Sequence, residues 1–226
     1  MRKQIHFRTL LTSWMALAAL SGSGAEGQNV WQRFYFRADA GPAFTRDTHV
    51  REFFGPVSGA KVKFDPGVRF SAALGYSFFD WLAAEAETGF IHNNIDSVSG
   101  WTRADASVSH VPFLGNVVLQ CPKTSRFIPF IGGGLGMDSV LLDVDRATDG
   151  NFFLSGADSD VVFAYQAFGG VRYAFNDRMS LGLAYKYFVS DRPSYDVDDF
   201  NSGTVGRLGL GHGETHSVSI VFKMKF

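Results

Sequence analysis

The chain has 226 residues, with 21 Lys and Arg against 22 Asp and Glu, and a formal net charge of −1. This balance, without a basic stripe, excludes nucleic acid as an electrostatic partner. The single cysteine, Cys121, excludes an internal disulfide, and it falls at an expected turn. Phe (23 residues) and Gly (25 residues) are both abundant, which favours β structure over helical spans.

Residues 1–25 have the pattern of a secretory signal peptide. The basic residues Arg2, Lys3 and Arg8 are followed by an apolar stretch at 10–20 and by small residues at 23–25. The apolar stretch is shorter than the roughly 20 residues of a membrane-spanning helix, although an uncleaved anchor is the alternative. We therefore expect cleavage after residue 25 and one domain at 26–226, with 18 Lys and Arg against 22 Asp and Glu, a net charge of −4.

Beyond residue 25, apolar and polar residues alternate with the period of two that is typical of β-strands. The alternating segments, in chain order, are 34–41, 67–77, 82–90, 110–120, 127–137, 163–173, 181–187 and 217–226. Segment 127–137 is the least regular because four glycines blur its period, and it is counted as a strand to keep the number even. Together these segments predict eight strands.

The connections between the predicted strands alternate in length. Short turns fall at 79–81, 122–126 and 176–178, and longer polar stretches at 45–61, 92–106, 138–160 and 189–214. Short turns at one end and long loops at the other are the layout of transmembrane β-barrels. The long stretches are expected to be loops, and 138–160 and 189–214 carry net charges of −5 and −3.

Alternation alone does not say whether the apolar face meets lipid or a barrel core, so a soluble barrel is an open alternative. Aromatic residues gather at the short-turn end, at Phe78, Phe79, Trp81, Phe127, Tyr173, Phe175 and Phe226. Such girdles mark membrane interfaces. The sequence therefore predicts an all-β fold, a single eight-stranded antiparallel up-and-down transmembrane β-barrel.

Charged residues recur on the polar face of the predicted strands. In an eight-stranded barrel this face fills a narrow interior, where unpaired charges are costly. We therefore expect a barrel-interior charge network made of Arg37, Asp39, Arg69, Glu85, Glu87, Arg172 and Lys186. On a soluble surface the same residues would be an ordinary solvated face.

Four segments resemble one family. FYFRADAG at 34–41, the segment 67–76 ending in LGY, PFIGGGLG at 129–136 and FKMKF at 222–226 are similar to the outer-membrane β-barrel family that includes opacity-type proteins and the OmpA transmembrane domain. The resemblance implies a monomer in the cell outer membrane, in contact with outer-membrane lipid and lipopolysaccharide. It also implies that the barrel assembly machinery reads a C-terminal signal at Phe222, Met224 and Phe226, so that deleting Phe226 should impair assembly.

Few residues have spacings that point to chemistry. His212 and His216 lack a third zinc ligand, and the acidic stretches match no calcium loop. Ser109-His110 and His216-Ser217 lie near the expected loop end, but neither forms a nucleophile elbow. We expect no catalytic site, metal or cofactor, and a structural or surface-recognition role through the exterior loops. The alternatives are a narrow passive channel and a lipid A-modifying enzyme.

Overall fold

The computed structural model describes residues 30–53, 61–98, 103–122, 125–148, 153–199 and 204–226. These residues are almost entirely β-strand, preceded by one turn of 3-10 helix at Val30–Arg33. Within these ranges no helix has the length and apolar character needed to cross a membrane. The predicted signal peptide at 1–25 lies outside the described residues.

Twelve strands occur in the described part of the chain. In order they are β1 (Phe34–Thr45), β2 (Thr48–Phe53), β3 (Lys61–Phe64), β4 (Gly67–Phe79), β5 (Leu82–Val98), β6 (Arg103–Gln120), β7 (Phe127–Thr148), β8 (Phe153–Ala174), β9 (Met179–Ser190), β10 (Ser194–Asp199), β11 (Thr204–Leu210) and β12 (Gly213–Lys225).

Eight of these strands close into an antiparallel barrel in the order β1-β4-β5-β6-β7-β8-β9-β12. Closure comes from the pairing of β1 with β12, in which Phe36 lies opposite Met224 and Ala40 opposite Ile220. A closed ring leaves no unpaired sheet edge, which is the condition for a sheet to lie in hydrocarbon. The predicted fold class is confirmed, including the glycine-rich segment 127–137, which is the first half of β7.

The prediction that the four long stretches are loops was wrong. Strands β5 to β8 continue well beyond the eight-stranded barrel. The pair β2–β3 begins within 45–61 and ends at residue 64, and the pair β10–β11 lies within 189–214. The reason is that these stretches also contain apolar residues, such as Val50, Val140 and Leu142, which are buried in a core of their own. The acidic residues between them conceal this alternation.

The outer parts of β5–β8 (93–98, 103–111, 139–148 and 153–161) form, with β2, β3, β10 and β11, a second ring that we call the upper tier. The pairings run β5–β3, β3–β2, β2–β11, β11–β10 and β10–β8, the last through one residue pair, Asp199 with Leu154. The rest of the barrel, which ends in the short turns, is the lower tier.

The two tiers have opposite polarity. In the lower tier the large apolar side chains point outward, and Ile131, Leu135 and Leu183 are each 60% exposed or more. In the upper tier the apolar side chains point inward and form a cluster of Val50, Val62, Val108, Val140, Leu142, Tyr195 and Leu210. Its outer face instead carries polar residues such as Asn94, Asp96, Asp143 and Ser159.

Candidate functional site

The barrel interior is the candidate functional site, and it is built in layers. Strand β6 passes through all of them, because every second side chain points inward. From the short-turn end upward, β6 contributes Gln120, Val118, Asn116, Leu114, Pro112, His110 and Val108. Val118 and Leu114 belong to two separate apolar clusters, and Asn116 belongs to the polar layer between them.

The polar layer between the apolar clusters contains the charge network. Arg37 donates to Asp39 Oδ2 at 2.6 Å, Glu85 Oε2 at 2.8 Å and Glu87 Oε2 at 2.6 Å. Lys186 Nζ lies 2.8 Å from both Asp39 Oδ2 and Glu87 Oε1. Three cations, with Arg69 as the third, therefore face three carboxylates, and the network is neutral.

Amide and hydroxyl groups add further hydrogen bonds to the network, while Arg69 Nε, Arg69 Nη1 and Asp39 Oδ1 have no hydrogen-bond partner among the described residues. Gln166 Nε2 and Asn116 Nδ2 each donate to Glu87 Oε2 at 2.8 Å, and Gln166 Oε1 accepts from Arg69 at 2.8 Å. Ser71 lies between Asp39 and Lys186. A Cβ at Gly134 would collide with Asn116 Oδ1, so this glycine leaves the room that the amide needs.

Pairing decides whether such charges are tolerable. Removing an ion from water costs several kcal/mol, which good geometry and further hydrogen bonds can offset. The side chains of Arg69, Glu87 and Lys186 are fully buried, so no water-sized sphere reaches them. The apolar cluster below, which includes Tyr35, Phe130 and Phe168, and the one above, which includes Phe188, separate the network from both ends of the barrel.

Six of the seven residues predicted for the interior meet in this network, and Arg172 does not. Arg172 is also buried, but it lies below the lower apolar cluster, with its guanidinium 4.8 Å from the centre of the Phe130 ring. Sequence reasoning missed the neutral members Asn116, Gln166, Ser71 and Tyr35, because alternation placed some of them on the inner face but gave them no charge to attract attention. It also missed Lys223, although its position on the polar face of the last strand was evident.

At the short-turn end Arg172, Lys223 and Gln120 form what we call the mouth cluster. Gln120 Oε1 accepts from Arg172 Nη2 at 2.8 Å and from Lys223 Nζ at 3.3 Å, and Lys223 Nζ lies 3.4 Å from the centre of the Tyr35 ring. Neither cation forms a salt bridge within the described part of the chain. Cation–π contacts contribute about 0.5–2 kcal/mol, less than the several kcal/mol that burial of an ion costs.

A second polar layer lies where the tiers meet. His110 Nδ1 is 2.6 Å from Asp138 Oδ2, and both residues are buried. Tyr195, from β10, is buried above them, and its pKa is raised by burial and by the nearby Asp160, Asp138 and Asp158 carboxylates. No group of three potential metal ligands is arranged for binding among the described residues.

The other residues singled out from the sequence lie on the outside. His216 points outward and contacts Tyr185 at 2.6 Å, whereas His212 lies between β11 and β12, 3.4 Å from Asp191. Cys121 is exposed directly after β6. Phe222, Met224 and Phe226 lie on the outer face of the last strand and beyond it, and their role in assembly stays a prediction.

Adjacent strand residues point to opposite faces, so neither predicted Ser/His pair forms a contact through its own neighbours. Ser109 instead contacts His92 on the outer face, with 2.9 Å between Oγ and Nδ1. His110 points inward to Asp138. Ser217 is buried on the inner face, opposite to His216.

A closed eight-stranded barrel with a broad apolar outer face, aromatic residues at the turn end and a charged interior defines an outer-membrane β-barrel protein. The comparisons agree with this class. The chain belongs to the family described as outer membrane protein beta-barrel domain, whose model matches residues 14–215. The protein is therefore located in the cell outer membrane.

Similar structures are barrels of the same class. OprG from Pseudomonas aeruginosa is 16% identical with a TM-score of 0.60, over 85% of this chain and 96% of that one. Neisserial surface protein A is 16% identical with a TM-score of 0.53, over 85% of this chain and 97% of that one. The outer membrane protease OmpT from Escherichia coli is 8% identical with a TM-score of 0.55, over 85% of this chain and 96% of that one. At these identities the likeness shows the fold alone. Comparison with curated proteins gives no significant match.

Proposed function

We propose that the protein is a non-enzymatic outer-membrane barrel that is closed to solutes and carries a rigid, strand-built structural or recognition surface outside the membrane. The observation that carries this proposal is the full burial of Arg69, Glu87 and Lys186 in the middle of the barrel. A solute would have to break several charge-assisted hydrogen bonds there and displace the apolar layers on either side.

Barrel size supports the same proposal over the alternative of a passive channel. Eight strands enclose an interior that side chains can fill, whereas aqueous pores occur in barrels with twice as many strands. Aromatic rings fill the space beside two of the glycines in the barrel wall. Gly75 makes room for the Tyr35 ring and Gly132 for the Phe168 ring, since a Cβ at either position would overlap the aromatic side chain.

Planar-bilayer recording tests the closed barrel. The refolded protein should insert without steady single-channel steps, at neutral pH and in 1 M salt alike. Steady steps of one size would support a channel and contradict the proposal. Protein whose gel mobility changes on heating should be used, so that unfolded chains are not mistaken for closed barrels.

The upper tier supplies the surface for recognition. Its outward side chains include His49, Arg51 and Lys63, which are exposed and lie above the apolar belt. Lipopolysaccharide phosphates are the expected neighbours of such cations. Replacing Arg51 and Lys63 together by Gln should then weaken retention of lipopolysaccharide on the purified protein, and unchanged retention would remove this partner.

One observation favours the enzyme alternative, the outward contact between His92 and Ser109. A serine beside a histidine can act as a nucleophile, but an orienting carboxylate is usually the third member. Among the described residues no carboxylate is hydrogen-bonded to His92. Lipid A masses in a suitable host should therefore be unchanged by expression of the protein; a change that Ser109→Ala abolishes would replace our proposal with an enzyme.

A further inference from the structure

We propose that the mouth cluster at the short-turn end binds a phosphoryl group, through Arg172 and Lys223. This site is separate from the upper tier and from the question of conduction, so it goes beyond the proposed surface role.

The charge balance of the interior is the first observation. The network above the lower apolar cluster is neutral within itself, because its three carboxylates serve Arg37, Arg69 and Lys186. Arg172 and Lys223 are only 3% and 4% exposed, and neither has an ion-pair partner in the described ranges. Two buried basic side chains therefore have no carboxylate in direct contact among the described residues, and the Glu85 carboxylate acts on them only from a distance.

The second observation is an unused donor. Both cations donate to the same neutral atom, Gln120 Oε1. The Nε of Arg172 is buried and has no hydrogen-bond partner among the residues that the structure describes. A buried N–H of a charged group without an acceptor is costly. Arg69 Nε and Nη1 also have no partner among the described residues, but Arg172 lines an open cavity through which an acceptor from outside the chain can reach it.

The third observation is a cavity beside these groups. It opens at the short-turn end and offers about 20 Å³ to a water-sized sphere, room for one oxygen atom. Arg178 and Lys225 also line it, and Asp177 is the one carboxylate among the lining residues. One phosphoryl oxygen would enter toward Arg172 and Lys223, while the others would stay at the entrance near Arg178 and Lys225.

A phosphoryl group fits better than a halide. It carries several oxygens, so it can accept from a guanidinium and an ammonium together, and arginine matches its geometry in a bidentate fashion. Short turns of outer-membrane barrels face the periplasm. The group could thus come from a free phosphate ester or from a phospholipid headgroup of the leaflet on that side, and the chemistry is the same.

The test uses the refolded full barrel in a phosphate-free maltoside detergent. Inorganic phosphate is titrated at constant ionic strength while the arginine Nε–H signals are followed by ¹⁵N NMR. A saturable shift of the Arg172 signal is expected. Arg172→Gln and Lys223→Gln, read from backbone signals near the mouth, should each weaken binding about tenfold or more, the value of one charge-assisted hydrogen bond.

Arg126→Gln is the matched control. Arg126 is a cation at the same end of the barrel, but it is exposed and contacts the Tyr173 hydroxyl outside the cavity. This variant should leave phosphate affinity within about twofold of the wild type, because it loses only an exposed contact. Heat-modifiable gel mobility shows whether each variant is folded; if Arg172→Gln fails to fold, the wild-type titration and Lys223→Gln decide.

A second arm distinguishes the two sources. Phosphatidylglycerol is added to the maltoside-solubilised protein, and the Arg172 signal is followed again. If the lipid shifts the Arg172 signal and free phosphate reverses this shift only at high concentration, the site binds headgroups. If free phosphate shifts the signal at low concentration and the lipid does not displace it, the site binds soluble phosphate. The proposal is overturned if neither ligand gives a saturable shift, if chloride gives an equal one, or if Arg126→Gln weakens binding as much as Arg172→Gln.

Discussion

The lower and upper tiers share four long strands, β5 to β8, yet they turn opposite faces to their surroundings. Along β7 the apolar residues Ile131, Leu135 and Met137 point outward, and beyond Asp138 the apolar residues Val140 and Leu142 point inward. The strand itself continues without a break between them. The surrounding solvent, rather than the strand, decides which face carries the apolar side chains.

The tiers are consequently held together by different forces. The lower tier meets hydrocarbon outside, and its interior is cross-linked by charge-assisted hydrogen bonds in a polar layer between two apolar clusters. The upper tier meets water outside, so it buries a core as a small soluble barrel does. Each difference can be tested by substitutions that should affect one tier and spare the other.

The largest effect is expected from Lys186→Met in the charge network. The substitution removes the ammonium that contacts Asp39 and Glu87 and leaves a buried negative charge uncompensated. Breaking one partner of a buried ion pair costs about 3–5 kcal/mol. Equilibrium unfolding by guanidinium in detergent measures the loss, with Lys61→Met, at the exposed contact to Asp47, as the control that should change little. Equal losses would show that the interior network does not stabilise the barrel.

The next effect concerns the upper-tier core. Leu142→Ala removes a buried side chain from the cluster around Tyr195 and should destabilise the upper tier by roughly 2–5 kcal/mol. Native-state hydrogen exchange should report faster opening of β2, β3, β10 and β11, with the lower tier unaffected. The control is Leu141→Ala on the outer face of the same strand, expected within about 0.5 kcal/mol of the wild type. Uniformly faster exchange in both tiers would mean that they open as one unit.

A charge on the outer face distinguishes lipid from water directly. Leu183→Arg, at a position that is 60% exposed in the lower tier, should cost about 2–4 kcal/mol in a bilayer. Leu141→Arg, on the outer face of the upper tier, should cost far less, because water solvates the guanidinium there. Folding titrations into lipid vesicles measure both. Similar costs for the two variants would contradict the assignment of the boundary between the tiers.

The smallest effect is a dependence on pH in the upper tier. The hydrogen bond from Lys61 lowers the pKa of the exposed Asp47 carboxyl, so the folded state binds its proton less readily than the unfolded state. The resulting stabilisation is present above the normal pKa of about 4 and is lost as the pH falls through the lowered value. Asp47→Asn should remove this component from the pH profile of upper-tier hydrogen exchange. An unchanged profile would mean that the pair contributes nothing.

The eight barrel strands and the residues that share their inner face could be predicted from the sequence, because alternating apolar and polar residues show directly which side chains lie on the same face. Alternation shows which face a side chain points to, but it does not show the position of that side chain along the barrel axis. The sequence therefore groups Arg172 with Arg37, although the lower apolar cluster lies between them. Nor does alternation show what lies outside the sheet. The shift of the apolar face from Met137 to Val140 was present in the sequence, but it fell in a stretch interpreted as a polar loop. The mouth cluster required coordinates, because only they show that Arg172 and Lys223 meet at Gln120 and contact no carboxylate among the described residues.

The length of β7 also sets a distance scale for encounters at the cell surface. From Asp138 to Thr148 the strand adds ten residues, or about 30 Å of strand above the level where the outer face ceases to be apolar. A large particle that approaches the membrane would meet the far ends of these strands before it reached the lipid. Such encounters would then act on the far ends of β7 and β8 before any other part of the barrel.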